Sequence, residues 1–259
     1  MTMSDIVISE IKRDHIVKLL KEGKREDGRG VKDNRKISYV TNCIESADGS
    51  ARVKLGKTEV IAGVKIIPGT PFPDTPGEGV LTTGMEFLPM AHPSFESGPP
   101  GEDAIELARV VDRGIRESKM VDVSKLCVEE GVKVWMCFID MYALDYDGNL
   151  FDAANLAAVL ALKTAVVPYE QYGLGEDQPL PVTCTPISVT ACKIDNTLIL
   201  DPNFDEEHIS TARLTITTDD NGNFRAMQKG GKGSITLDEL SQCLDAAVAK
   251  GKEIRKIIG

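Results

Sequence analysis

The chain is poor in the side chains that gather metals. Its three histidines, His15, His92 and His208, stand far apart, and no two of its six cysteines form a C-x-x-C pair. A zinc site would have to assemble from distant segments, so neither a metal nor a cofactor is expected. Cys43, Cys127, Cys137, Cys184, Cys192 and Cys243 read as reduced, mostly buried thiols. No apolar run reaches the roughly 18–20 residues that a membrane helix needs. Met1 to Glu10 carries Asp5 and Glu10 and no basic n-region, so a secretory leader is not expected. The expectation is a cytoplasmic chain with no membrane partner.

Positive charge is also the minority. The 30 Lys and Arg face 40 Asp and Glu, a net charge of −10 with a pI near 4.9. Taken alone, this argues against nucleic acid, because phosphate binding depends on lysine and arginine. A local basic stripe, or a more basic partner, would still permit it.

What is present suits a globular chain. At 259 residues, 42% apolar and 27% charged, it can bury one large α/β domain or two packed subdomains. Ser4 to Gly23 reads as a helix capped by Ser4, followed by the basic stretch Lys24 to Lys36. Strand signals cover Ile37 to Ile44, Ser50 to Leu55, Thr58 to Ile67 and Val80 to Leu88, with hairpin turns at Asp48-Gly49 and Gly56-Lys57. Pro68 to Gly79 and Pro89 to Gly101 read as loops. Glu102 to Ser118 reads as a helix with acids at its start. Val132 to Asp145 is a long strand, and alanine-rich Phe151 to Val167 a buried central helix. After the connector Tyr169 to Pro181, strands are expected at Ile187 to Ile194, Thr197 to Asp201, Ala212 to Thr218 and Asn223 to Gln228. A last helix spans Thr236 to Ile258. Strands precede helices in both halves, which predicts α+β layers rather than a βαβ repeat.

Several blocks recur in a familiar order. They are Arg25-Glu26-Asp27-Gly28-Arg29, Gly49 to Thr58, Ile105-Glu106-Leu107, Asp147-Gly148 before the alanine-rich helix, and Asp201 to Leu214. Together they resemble the RNase PH family over nearly the whole chain. Ile66-Ile67-Pro68-Gly69 and Glu86-Phe87-Leu88-Pro89 are similar to the non-catalytic RNase PH-type subunits of archaeal exosomes. The resemblance implies an α+β RNase PH-like fold of two mixed sheet-and-helix halves plus an N-terminal helix. Its expected divisions are 1–30 for the helix and basic segment, 31–168 for the first domain and 182–259 for the second.

Family members that phosphorolyse RNA hold inorganic phosphate with cationic and hydroxyl donors, and use carboxylates for proton or metal work. Here the pattern departs at each point. Glu102 and Asp103 stand where the resemblance implies a phosphate arginine. Leu150 and Phe151 stand in place of a Ser/Thr-Arg pair, and neither can donate a hydrogen bond. Asp201, Asp205, Glu206 and Glu207 are present, but Ala212 is followed by Arg213 instead of an acid. These departures imply an inactive site, with Asp205 to Glu207 read as an acidic helix start or exposed turn.

Arg109, Arg113 and Arg116 lie at i, i+4 and i+7, along one helix face. They suit the successive phosphates of single-stranded RNA. The bland alternative pairs Asp112 with Arg116 and Glu106 with Arg113. The resemblance favours RNA. Arg25 and Arg29 beside Asp27 read first as structural ion-pair formers. Lys229-Gly230-Gly231-Lys232-Gly233-Ser234 fails the P-loop spacing and reads as a turn. The resemblance further implies a hetero-hexameric ring with a catalytic RNase PH-like paralogue, and RNA-binding cap subunits. Two alternatives stay open: an active phosphate-dependent exoribonuclease, and a purely structural ring subunit.

Overall fold

The computed structural model describes residues 10–259. The first sheet contains β1 (Ile37–Thr41), β2 (Gly49–Leu55), β3 (Thr58–Gly69), β4 (Val80–Phe87), β5 (Cys127–Glu129) and β6 (Lys133–Asp145). Its order is β1-β2-β3-β6-β4, with β5 also on β6, and only β4 runs parallel to its neighbour. Val166–Val167 (β7) and Gln178–Pro179 (β8) form a short ribbon. The second sheet is antiparallel, with order β10-β9-β11-β12, from β9 (Ile187–Ile194), β10 (Thr197–Leu200), β11 (Ala212–Thr218) and β12 (Phe224–Gly230). Among the described residues, the helices are α1 (Glu10–Lys21), α2 (Glu102–Glu117), α3 (Leu150–Thr164), α4 (Phe204–Ile209) and α5 (Leu237–Ile258). None is long and apolar enough to cross a membrane.

Helix α3 is the pivot. Every residue from Leu150 to Leu162 is buried. One side packs on β2 and β3, another on β9. The second contact is polar and hydrogen-bonded throughout, except that Asn155 Nδ2 has no partner among the described residues. Asp152 Oδ2 accepts from the Thr190 amide at 3.0 Å, and its Oδ1 accepts from Thr190 Oγ1 at 2.8 Å. Asn155 Oδ1 accepts from the Ser188 amide at 2.9 Å. Ser188 and Thr217 hydroxyls meet at 2.8 Å, and those of Thr190 and Thr215 at 2.9 Å. Strand alternation turns these small polar residues to one face of the second sheet. Their neighbours Ile187, Val189, Leu214 and Ile216 share a core with Cys243, Ala247 and Ile254 of α5.

Several sequence expectations need correction. Of the helix expected over Ser4 to Gly23, the described part is α1, which ends at Lys21; residues 4–9, with the Ser4 cap, lie outside the described residues. Strand β1 stops at Thr41, because Asn42 takes a left-handed φ of 54°. Asp48-Gly49 is not a hairpin turn. Gly49 opens β2, and Asp48 Oδ2 accepts from the Ile66 amide at 2.6 Å. Gly56-Lys57 is the two-residue hairpin, with Leu55 opposite Thr58. Strand β3 runs through Pro68 to Gly69, opposite Trp135 and Val134. Proline fits there because β2 begins only at Gly49, opposite Val64, and leaves the edge of β3 beyond Val64 without a β2 ladder. Helix α3 ends at Thr164, not Val167. The paired valines are β-branched, and Pro168 disfavours a helical residue before it. Strand β12 takes in Lys229 and Gly230, so only the segment after them turns. Of the six thiols only Cys137, Cys192 and Cys243 are buried, and Cys43 is exposed.

Candidate functional site

Two arginine-rich places and one cleft flank the join between the halves. The first is a buried knot. Arg25, whose side chain is wholly buried, gives Nε to Glu206 Oε1 at 2.8 Å and also pairs with Glu206 Oε2. Its remaining donors reach the carbonyls of Leu200 and Asp201, each at 2.8 Å, and of Asp33 at 3.3 Å. Arg35 gives its backbone N–H and Nε to Asp201 Oδ2 and its Nη2 to Asp201 Oδ1. Arg29 Nη1 reaches Asp201 Oδ2 at 3.0 Å, and Asn149 Nδ2 reaches Oδ1 at 2.8 Å. Burial alone would raise the Asp201 carboxyl. The hydrogen bonds and charge of Arg35, helped by Asn149, hold it below the ordinary carboxylate range. Asp201 is therefore a structural acid.

The Asp147-Gly148-Asn149 turn joins this knot to α3. Gly148 has φ 82°, and a Cβ there would stand 2.4 Å from the Asn203 carbonyl carbon. Asn149, also left-handed at φ 56°, caps α3 and gives Nδ2 to both Asp152 and Asp201. Burial pushes the Asp152 carboxyl up to about 7, against the lowering pull of Asn149 and Thr190.

Beside the knot lies an open cleft of about 650 Å³. Asp103 and Glu106 of α2, Tyr146, Phe151 of α3, Glu207 of α4 and Arg213 of β11 line it. Glu207 Oε2 accepts from the Asn149 amide at 2.8 Å and from Tyr146 Oη at 3.3 Å. Burial and the Glu207 charge both push the Tyr146 phenol upward. Arg213 lies over the Phe151 ring, 3.9 Å from its centroid, and gives Nη2 to Glu106 Oε1 at 2.9 Å. Gly230 makes room, since a Cβ there would meet Arg213 Nη2 at 2.8 Å. The cation is thus held by a ring face and a carboxylate.

The third place is the outer face of α2. Arg109 and Arg113 are exposed and share a groove of about 410 Å³ with Glu106 and Gln228. Among the described residues Arg109 has no hydrogen bond or ion pair. Arg113 Nη1 makes a long contact of 3.5 Å to Gln228 Oε1. Arg116 differs. Its fork grips Asp112 at 2.9 and 3.1 Å, and Nη2 reaches the Leu81 carbonyl at 3.1 Å.

Of the residues marked as degenerate, Asp103, Phe151 and Arg213 meet in the cleft. Leu150 does not, being buried at the first turn of α3. The expected Asp112–Arg116 pair forms, but Glu106 pairs with Arg213, not Arg113, because β11 brings a nearer cation. Arg25 and Arg29 are ion-pair formers as read. Of the two readings of Asp205 to Glu207, the acidic helix start is the one observed, not the exposed turn. The segment is the first turn of α4, with Glu206 buried against Arg25 and Glu207 in the cleft. Sequence reasoning missed Arg35 as the chief partner of Asp201. The one available signal was Asn203 three residues before Glu206, a capping-box spacing that fixes where α4 starts.

Residues 33–168 match the 3' exoribonuclease family, domain 1, and residues 184–250 match the 3' exoribonuclease family, domain 2. The chain is similar to the exosome complex component Rrp42 of Methanocella arvoryzae, 52% identical over 254 residues that cover 98% of each chain. It is also similar to the exosome complex component Rrp42 of Thermoplasma volcanium, 53% identical over 250 residues that cover 96% of each. Among solved structures, a chain of an Archaeoglobus fulgidus exosome with RNA bound to the active site superposes with a TM-score of 0.94. It is 48% identical and covers 96% of this chain and 98% of its own length. A chain of an archaeal exosome core gives a TM-score of 0.89 at 46% identity and covers 96% of each. With both family domains spanning its two sheets and full-length relatives at about half identity, the chain belongs to the 3' exoribonuclease family and has an RNase PH-like fold.

Proposed function

We propose that the chain is a non-catalytic subunit of an exosome, a 3'–5' exoribonuclease ring that degrades RNA with inorganic phosphate. It alternates with a catalytic RNase PH-like paralogue in a hetero-hexamer that also carries RNA-binding cap subunits. It scaffolds the ring, helps to shape the paralogue's active site and offers arginines to single-stranded RNA. The 1–30, 31–168 and 182–259 divisions serve those tasks as N-terminal segment, first domain and second domain. The names of the full-length relatives and the RNA-bound structure support the assembly.

One observation carries the non-catalytic reading. Arg213, at the position where the family pattern has an acid, is stacked on Phe151 and paired with Glu106 inside the cleft. A cation so held cannot take a proton or hold a metal. Bound phosphate would also face Asp103 and Glu207 across the same cleft, with no donor from Leu150 or Phe151. On the outer face of α2, Arg109 and Arg113 have guanidinium donors to spare for phosphates, and Arg116 adds charge beside them.

The test is phosphate-dependent release of nucleoside diphosphates from single-stranded RNA by the purified chain. None is expected. Release that is lost in Glu207→Gln would falsify the reading. Asp201→Ala is unsuitable as the control, because Asp201 holds the knot together. Mass measurement of the co-expressed complex tests the alternating ring.

A further inference from the structure

We infer that Arg213 is a positioning residue for the RNA groove: it pins Glu106 and so keeps that acid from neutralising Arg109 and Arg113. The inference rests on the reading that these two arginines meet RNA, and it adds a reason why the chain carries a cation in its cleft.

The groove on α2 has a charge problem. Glu102 and Glu106 line it together with Arg109 and Arg113. Glu106 stands three residues before Arg109, a spacing at which helical side chains pair. Such a pair would consume the one arginine that has no partner among the described residues. It does not form. Glu106 Oε1 accepts from Arg213 Nη2 at 2.9 Å, from the cleft side, and from Gln228 Nε2 at 3.3 Å. Arg213 cannot follow Glu106 outward without giving up the Phe151 ring, over which its guanidinium carbon lies 3.9 Å from the centroid. The carboxylate is therefore drawn towards the cleft and its charge is offset there.

Donor and acceptor logic extends the effect. A carboxylate only accepts and a guanidinium only donates, so the Gln228 amide between them has one useful orientation. Its nitrogen faces Glu106 and its oxygen faces Arg113 Nη1, at 3.5 Å. Gln228 thus presents Arg113 with a neutral acceptor where a mobile Glu106 would present a charge. That contact is long and its acceptor is neutral, so it leaves the guanidinium free for a phosphate.

The experiment measures binding of a labelled single-stranded oligoadenylate to the assembled complex, in phosphate-free buffer and across a salt series. Arg213→Met frees Glu106. Affinity should fall about threefold to tenfold, and the slope of log affinity against log salt should flatten by up to about 0.7, one phosphate contact. Glu106→Gln alone should leave affinity within about twofold, since it removes the charge that Arg213 restrains. The double variant Arg213→Met, Glu106→Gln should return to that level. A residue needed only for packing on Phe151 would not be rescued by neutralising its ion-pair partner, so a persistent loss in the double variant overturns the inference. So does unchanged binding in Arg213→Met when Arg113→Ala weakens it. If Arg113→Ala and Arg109→Ala change nothing, the RNA reading of α2 fails instead. Should Arg213→Met not assemble, Arg213→Gln, which also lacks the charge, carries the same comparison with Glu106→Gln.

Discussion

The knot around Asp201 and the outer face of α2 use the same side chain in opposite ways. Arg25, Arg29 and Arg35 are buried or nearly so, and the forks of Arg25 and Arg35 are filled by carboxylates and carbonyls. Arg109 and Arg113 stand in water with donors unspent. An arginine that has filled its fork fixes structure and has little left for a ligand. One with an empty fork contributes little to stability and is available to a phosphate. Arg213 lies between these extremes. Its outward donor and ring face are spent, yet it sits in a cleft open to solvent.

The comparison breaks most visibly if the knot is cut. Arg25→Ala leaves Glu206 buried and without its ion-pair partner. It should cost about 3–5 kcal/mol by denaturant unfolding, the range for an orphaned buried charge. Glu206→Ala should cost as much, and it also removes the capping-box contact to the Asn203 amide at 2.8 Å. The double variant Arg25→Ala, Glu206→Ala should cost less than the sum of the singles, because no buried charge remains. Additive losses would mean that the pair does not act as a unit.

Asp152 sharpens the same point with pH. Its folded pKa of about 7 lies above the ordinary carboxylate value of 3.8. The folded chain therefore binds the extra proton. Its contribution to stability is complete below the unfolded pKa near 3.9 and is lost as pH rises through 7. A shift of this size amounts to about 4 kcal/mol at its limit. Asp201 has the opposite sign. Its lowered pKa contributes stability above the unfolded value, lost only as pH falls below it. Between pH 5 and 8 the falling part of the slope should therefore belong to Asp152, while His92, whose pKa burial and His208 lower, adds a rising part. Asp152→Asn, which mimics the protonated acid towards Thr190, should remove the falling part there. A profile that keeps its fall in the variant would count against this assignment.

These networks mark where sequence stopped being legible. Strands β9 and β11 could be read to the residue, because apolar and small polar residues alternate over most of each and each ends at a turn. Helix α5 was equally plain, with Thr236 and Glu239 spelling its capping box. The three departures at Asp103, Phe151 and Arg213 were readable as wrong residue types, and the fold brings them to one cleft. Their partners were not readable. Arg35 reaches Asp201 across 166 positions, and Glu106 reaches Arg213 across 107. Nothing local in either segment announces the other. The helical rule offered Glu106 a partner on its own helix, and the tertiary neighbour won because its guanidinium is already held in place.

At the exposed end of the comparison, Arg109→Ala and Arg113→Ala together should leave unfolding within about 0.5 kcal/mol, as befits surface side chains. The same variant in the assembled complex should weaken RNA binding and flatten the salt slope by about 1.4, two phosphate contacts at about 0.7 each. The loss should be alike for different RNA sequences, since backbone contacts carry no base information. A loss confined to one sequence would point to base contacts instead.

Arg116 should give the smallest change of all. It shares the helix face, but its fork already grips Asp112 and the Leu81 carbonyl. Half of its side chain is exposed, so the pair is screened and worth at most about 1 kcal/mol. Asp112 also accepts from Thr83 Oγ1 at 3.2 Å, which keeps it in place when Arg116 is gone. Arg116→Ala should therefore lower stability by less than about 1 kcal/mol and move RNA affinity less than Arg109→Ala or Arg113→Ala does. A drop equal to theirs would show that Arg116 exchanges Asp112 for a phosphate when RNA arrives. In that case a filled fork would not by itself exclude a ligand, and the contrast between the two arginine sets would rest on burial alone.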